Sequence, residues 1–158
     1  LRFIIIGFGF FSIVYKDNCE TAGGKSKMYA IIRKCKNDKI LVIVDGAAFG
    51  SEIGKIYRYL QTGIKNCVIY APESFEYLIL KSGVIDIKQD VINNTYLYAD
   101  SSNYMSWEKF YTAYLNGSTK DTIYRYNKAK LNDNYKTKGV YEKIVGVMPE
   151  AIRKGYKR

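Results

Sequence analysis

Residues 40–44, Ile-Leu-Val-Ile-Val, form an unbroken apolar run closed by Asp45-Gly46. No other feature constrains the fold as strongly. A strand with one wet face would alternate apolar and polar residues, so a continuous run of this length predicts a strand buried on both faces. Neighbouring segments supply companions of the same kind. Residues 3–6 and 10–15, joined at Gly7-Phe8-Gly9, read as two more short buried strands, and residues 67–71 as another. The opening run does not predict a membrane span, because the 13 residues between Arg2 and Lys16 are too few to cross a bilayer as a helix.

Between these runs the hydrophobic period changes. Met28, Ile31, Ile32 and Cys35 place one apolar stripe on a helix over residues 25–36, and Ile53, Ile56, Tyr57 and Leu60 do the same over 51–61. Ser74 is placed to cap a short helix reaching Lys81, with Gly83 just beyond it. Residues 84–87 and 95–99 are expected as fourth and fifth strands of the core. The alternation predicts an α/β fold with a largely parallel or mixed central sheet flanked by helices.

After Asp100 the pattern becomes helical. Ser106 opens a helix with Trp107, Phe110, Tyr111 and Tyr114 on one face, which Gly117 is expected to end. Trp107 and Phe110 are expected to be packing residues. Residues 118–138 are polar and irregular, followed by short helices at 140–148 and 149–154. The expected organisation is an α/β core over residues 1–103 and a basic, tyrosine-rich helical extension over 104–158, packed on that core.

The composition excludes several chemistries. The chain has no histidine, which removes Ser-His-Asp and Cys-His relays and any imidazole base. Cys19, Cys35 and Cys67 form no CxxC clip, and an odd, sparse cysteine count fits reduced thiols in the cytoplasm. The net charge is +10 over 158 residues, but 19 Lys, 19 Ile, 16 Tyr and 10 Asn are what AT-rich codons supply. Its distribution is more informative. Residues 1–123 hold 15 basic and 12 acidic side chains, whereas residues 124–158 hold 10 basic against 3 acidic. The excess is a C-terminal footprint, either a solvated tail or a binding surface.

Ligands of open α/β sheets bind beyond the carboxyl ends of the strands, and acids fall there repeatedly: Asp17, Asp45, Glu73 and Asp100 each follow an expected strand. Carboxylates gathered at one sheet edge can hold Mg²⁺, which does phosphodiester chemistry without histidine; Asp alone also ends strands as a turn cap. A second feature lies between strand and helix at residues 16–27. Gly23 and Gly24 permit close backbone approach, and with Lys25, Ser26 and Lys27 they form a candidate phosphate-binding turn. A nucleotide P-loop would place glycine where Cys19 stands.

Three segments run in a telling order: FFSIVYKDN, then AGGKSKMYAIIRK, then KILVIVDG. Over residues 10–50 this arrangement resembles the core of some type II restriction endonucleases, and TAGGKSK superficially resembles a segment of TOPRIM domains. The resemblance to the endonucleases implies an active-site acid and lysine on one strand, a Gly-Gly-Ser-Lys-like turn, and a following strand ending in Asp-Gly. With Lys16 in the lysine's place, Val14 occupies the position of the acid, so Asp17, Glu20 or an acid upstream of Leu1 would substitute.

The leading expectation is therefore a cytoplasmic, Mg²⁺-dependent nuclease or nuclease-derived DNA-binding domain, restriction or defence related. Asp17 and Asp45 would hold the metal, joined by Glu20, while Lys16 or Lys25 would stabilise phosphate charge. Arg125, Lys128, Lys130, Lys136 and Lys138 would contact the nucleic-acid backbone, with the interleaved Tyr124, Tyr126 and Tyr135 stacking on bases. Two alternatives stand beside it: a non-catalytic interaction module binding nucleic acid or an acidic partner, and a nucleotide-binding protein using the Gly-Gly-Lys turn. A homodimer is compatible with the leading reading; a membrane partner is not expected.

Overall fold

A computed structural model describes residues 2–6, 19–21, 30, 33–34, 40–44, 46, 53–61, 67–128, 130–150 and 152–153. The chain mixes helix and strand, and it divides into two compact units, Leu1–Pro72 and Glu73–Arg158. The expected boundary at 103/104 falls inside the second unit.

In the first unit, β1 (Arg2–Ile6), β2 (Cys19–Thr21), β3 (Ile40–Val44) and β4 (Cys67–Tyr70) are short strands, and α1 spans Ile53–Gln61. All pairings are parallel, in the order β2-β1-β3-β4. The apolar run holds the expected position: β3 lies between β1 and β4, and Val42, Ile43 and Val44 are buried. Ile56 is the buried residue of α1's amphipathic stripe, while Tyr57, expected on the same face, is exposed. The segment after β3 passes close to the chain beyond β4. Gly46 donates its N–H to the Pro72 carbonyl at 2.9 Å, and a Cβ on Gly46 would sit 2.3 Å from that oxygen. The small residue after the strand is thus a packing requirement of this crossing.

Two expectations for this unit are altered or left outside the described residues. Residues 19–21, read as part of a loop, pair as β2 with β1. The strand expected at 10–15 and most of the helix at 25–36 lie outside the described residues, although Ala30, Arg33 and Lys34 are helical.

The second unit is helical: α2 (Phe75–Lys81), α3 (Gln89–Asn93), α4 (Thr95–Tyr98), α5 (Trp107–Thr119), a 3-10 turn (Asp133–Lys136) and α6 (Lys138–Gly146). Helix α2 packs against α3, α5 and α6. Its sequence, Phe-Glu-Tyr-Leu-Ile-Leu-Lys, is apolar nearly all round, which is what a central helix needs. Ser74 caps it as expected, its Oγ accepting the Tyr77 N–H at 3.1 Å. Beyond its end Gly83 adopts a left-handed φ of 68°.

Residues 84–87 and 95–99 are not strands. After Gly83 the chain bends, and Ile85 alone of residues 84–87 is buried. Residues 95–98 are α4, despite side chains that favour strands. The Asn94 N–H already bonds to the Asp90 carbonyl at 2.9 Å, and Ala99 bonds back to Thr95 at 2.8 Å, so helical bonding from α3 carries on. Helix α5 runs past Gly117 to Thr119 because Leu115 before the glycine and Thr119 after it are both buried, and Thr119 Oγ1 donates to the Leu115 carbonyl at 2.7 Å. That packing outweighs a mid-helix glycine penalty of about 1 kcal/mol.

Candidate functional site

Lys16, Asp17, Gly23, Gly24, Lys25, Ser26, Lys27 and Asp45 lie outside the described residues. Glu20 lies in β2, in register with Ile4 of β1. Among the described residues no group of three or more His, Cys, Asp or Glu side chains is arranged to share a metal ion. No helix among them is long and apolar enough to cross a membrane.

The two later strand-end acids are described, and they differ. Asp100 does not follow a strand. Its Oδ1 accepts the Ser102 N–H at 2.8 Å, a local turn that lowers its carboxyl below the usual aspartate range. Glu73 instead faces a polar chain: Tyr111 Oη donates to Glu73 Oε2 at 2.9 Å, and Thr95 Oγ1 lies 3.0 Å from the same phenol. Burial raises the Tyr111 pKa far above the ordinary tyrosine value; the Thr95 hydrogen bond opposes this and Glu73 adds to it. These groups line a cavity of about 260 Å³ together with Tyr77, Tyr96 and Trp107. Trp107, expected as a packing residue, keeps 47% of its surface exposed, whereas Phe110 is buried as expected.

Glu76, in the first turn of α2 and three residues after Glu73, is fully buried. Its Oε1 accepts from Tyr126 Oη at 2.8 Å and from Thr112 Oγ1 at 3.2 Å, with Lys128 Nζ at 3.8 Å. Its Oε2 has no hydrogen-bond partner among the described residues. Burial, followed by the Glu76 charge and hydrogen bond, drives the Tyr126 phenol far upward.

That arrangement changes the reading of the basic segment. Tyr126 and Tyr135 are core residues, 6% and 0% exposed, so neither ring can stack on a base. Tyr135 Oη donates to the Tyr124 carbonyl at 2.5 Å, and the Tyr124 ring packs against Tyr135 with centroids 5.6 Å apart. Lys128 pairs with Glu108 as well as Glu76, and Lys136 pairs with Asp133 at 2.5 Å. Arg125, Lys130 and Lys138 are exposed and form no ion pair among the described residues. The interleaving of aromatic and basic residues thus serves two purposes: tyrosines anchor the segment, and alternate cations project from it.

Sequence reasoning missed the cavity. Its walls come from four separate segments, around residues 73–77, 92–96, 107 and 111, so no local motif marks it. No family model matches the chain, and the comparisons with curated proteins and with solved structures found no match.

Proposed function

We propose that this chain binds nucleic acid, DNA in particular, through the basic surface that follows α5. The observation that carries this reading is the exposure of Arg125, Lys130 and Lys138, in no ion pair among the described residues, on a segment anchored by the buried Tyr126 and Tyr135. Cations fixed on a packed scaffold and held in no close ion pair can exchange their counterions for phosphates. In this reading residues 1–72 are an α/β part, a parallel sheet with flanking helices, belonging to a Mg²⁺-dependent nuclease or a nuclease-derived domain that works in the cytoplasm in restriction or defence. Support for the catalytic half is the parallel order of the strands together with the place of Asp45 directly after β3 in the sequence. The other residues it would use, Asp17, Glu20, Lys16 and Lys25, come from the segment before and after β2 or within it.

Fluorescence anisotropy of labelled duplex and single-stranded DNA across a salt series tests the binding. Affinity should fall steeply with salt, and replacing Arg125, Lys130 and Lys138 together by glutamine should reduce the slope of log K against log salt by about three, near 0.9 per lost phosphate contact. An unchanged slope would refute this surface. Incubation with Mg²⁺ separates the functional classes. Cleavage abolished by Asp45→Asn supports the nuclease; binding without cleavage leaves an interaction module; preference for an acidic protein over DNA refutes the nucleic-acid reading.

A further inference from the structure

The cavity beside Glu73 has a chemistry that DNA binding does not use. Its accessible aromatic lining is Tyr77, Tyr96 and Trp107, with the buried Tyr111 behind them, and its charged group is the Glu73 carboxylate. Aromatic faces carry negative electrostatic potential and attract cations, most strongly for Trp. Lys81 Nζ lies 5.2 Å from the Tyr77 ring centroid but donates to the Tyr77 hydroxyl at 3.1 Å, at the phenolic end of the ring. The Tyr77 and Tyr111 rings stand 5.3 Å apart and tilted by 53°, so they form an angled corner rather than a closed stack. Tyr111 is fully buried and donates to Glu73 Oε2, which fixes the carboxylate beside that corner.

The outer walls differ from the inner ones. Tyr96 and Trp107 are 69% and 47% exposed, respectively. Large aromatic rings left in water around a carboxylate leave apolar surface that a ligand could cover. The local charge also favours a cation, because residues 73–123 carry four basic and seven acidic side chains although the whole chain is strongly basic. A bare ammonium is tightly hydrated and gains little from leaving water. A methylated ammonium spreads its charge over methyl groups, so it can meet ring faces and a carboxylate together.

The geometry points to a binding site for a small methylated or quaternary ammonium group, held between Tyr77, Tyr96 and Trp107 with Glu73 as its counter-ion, the buried Tyr111 fixing that carboxylate from behind. About 260 Å³ accommodates such a head group and a short substituent. The buried Tyr111–Thr95 pair supports the inner wall, and the exposed rings complete the outer one.

Trp107 is the chain's single tryptophan, so fluorescence excited at wavelengths that tyrosine does not absorb reads this site alone. The full chain is titrated with choline at constant ionic strength. The control is choline's neutral carbon isostere, in which a tert-butyl group replaces trimethylammonium. Choline should give a saturable change, with the neutral isostere binding about tenfold more weakly or worse. Glu73→Gln retains an acceptor for Tyr111 while removing the charge, and should weaken choline binding about threefold. Tyr96→Ala removes an exposed wall with little risk to folding, and should weaken it about two- to fivefold. The absence of a saturable choline response, equal binding of the neutral isostere, or unchanged affinity in both variants would each overturn the proposal.

Discussion

Replacing Glu76 by alanine should test the organisation of the second unit more sharply than any other single change. The wild-type carboxylate is fully buried, and its Oε1 takes hydrogen bonds from Tyr126 Oη at 2.8 Å and Thr112 Oγ1 at 3.2 Å. Hydrogen bonds to a charged acceptor contribute about 1.5–3 kcal/mol each, and the longer one belongs at the low end. Their loss costs about 3–5 kcal/mol, with about 1–2 kcal/mol more for the space left behind. One effect works the other way. The substitution also removes Oε2, which has no hydrogen-bond partner among the described residues, returning about 1–2 kcal/mol. The Lys128 contact adds little, because at 3.8 Å and with 46% of the lysine side chain exposed, solvent screens it. The net is a loss of about 3–5 kcal/mol, a large share of a small domain's stability.

Urea unfolding followed through Trp107 reads this loss in α5, the helix that supplies Thr112. With a slope near 1 kcal/mol per molar urea, the midpoint should fall by about 3–5 M. Glu76→Gln retains an acceptor in the Oε1 position and should cost only about 1 kcal/mol. A loss below about 1 kcal/mol for Glu76→Ala, or equal losses for the two variants, would refute this account of the network.

Two further predictions concern alkaline stability and the crossing after β3. Tyr111, Tyr126 and Tyr135 are all raised above the ordinary tyrosine pKa of 10.0, chiefly by burial. Unfolded tyrosines release protons near pH 10 while the folded ones do not. The urea midpoint should therefore be insensitive to these groups below pH 10 and fall as pH rises above it; a flat midpoint up to pH 11 would contradict their burial. Gly46→Ala forces a Cβ against the Pro72 carbonyl oxygen at 2.3 Å, so the backbone must shift. Thermal unfolding by far-ultraviolet circular dichroism should show a loss of about 1–3 kcal/mol, and wild-type stability would show that this crossing is loose.

What could be read from the sequence follows from the range of the interaction involved. The apolar run at β3, the Ser74 cap and the Ser106 cap are set within a few residues, and each occurs where the sequence places it. Residues 95–98 show the limit of such reasoning. Their Tyr-Leu-Tyr run favours a strand in isolation, yet Thr95 Oγ1 bonds back to the Val91 and Ile92 carbonyls and the chain remains helical. Nothing within that run indicates that a helix ends immediately before it. Gly117 shows the same limit from the other side, since Thr119, buried two residues later, holds the helix in place. The Glu76 network was beyond reach for a different reason: it joins residues 36 and 50 positions apart, and an isolated carboxylate in an apolar helix reads as a surface residue.

Lys128 shows why net charge and binding charge differ. It stands in the most basic segment of the chain, between Asn127 and Ala129, and by sequence it is indistinguishable from Lys130. In the fold its ammonium lies against Glu108 and near the buried Glu76, so part of its charge balances acids of the same unit. Lys136 is similarly engaged by Asp133. A phosphate contact at either lysine must first loosen a carboxylate, which offsets some of the gain from counterion release. The same contact at Arg125, Lys130 or Lys138 displaces no ion pair among the described residues. Neutralising Lys128 should therefore lower stability along with any binding, while neutralising Lys130 should lower binding alone. That difference separates a cation that holds the segment in place from one that the segment presents.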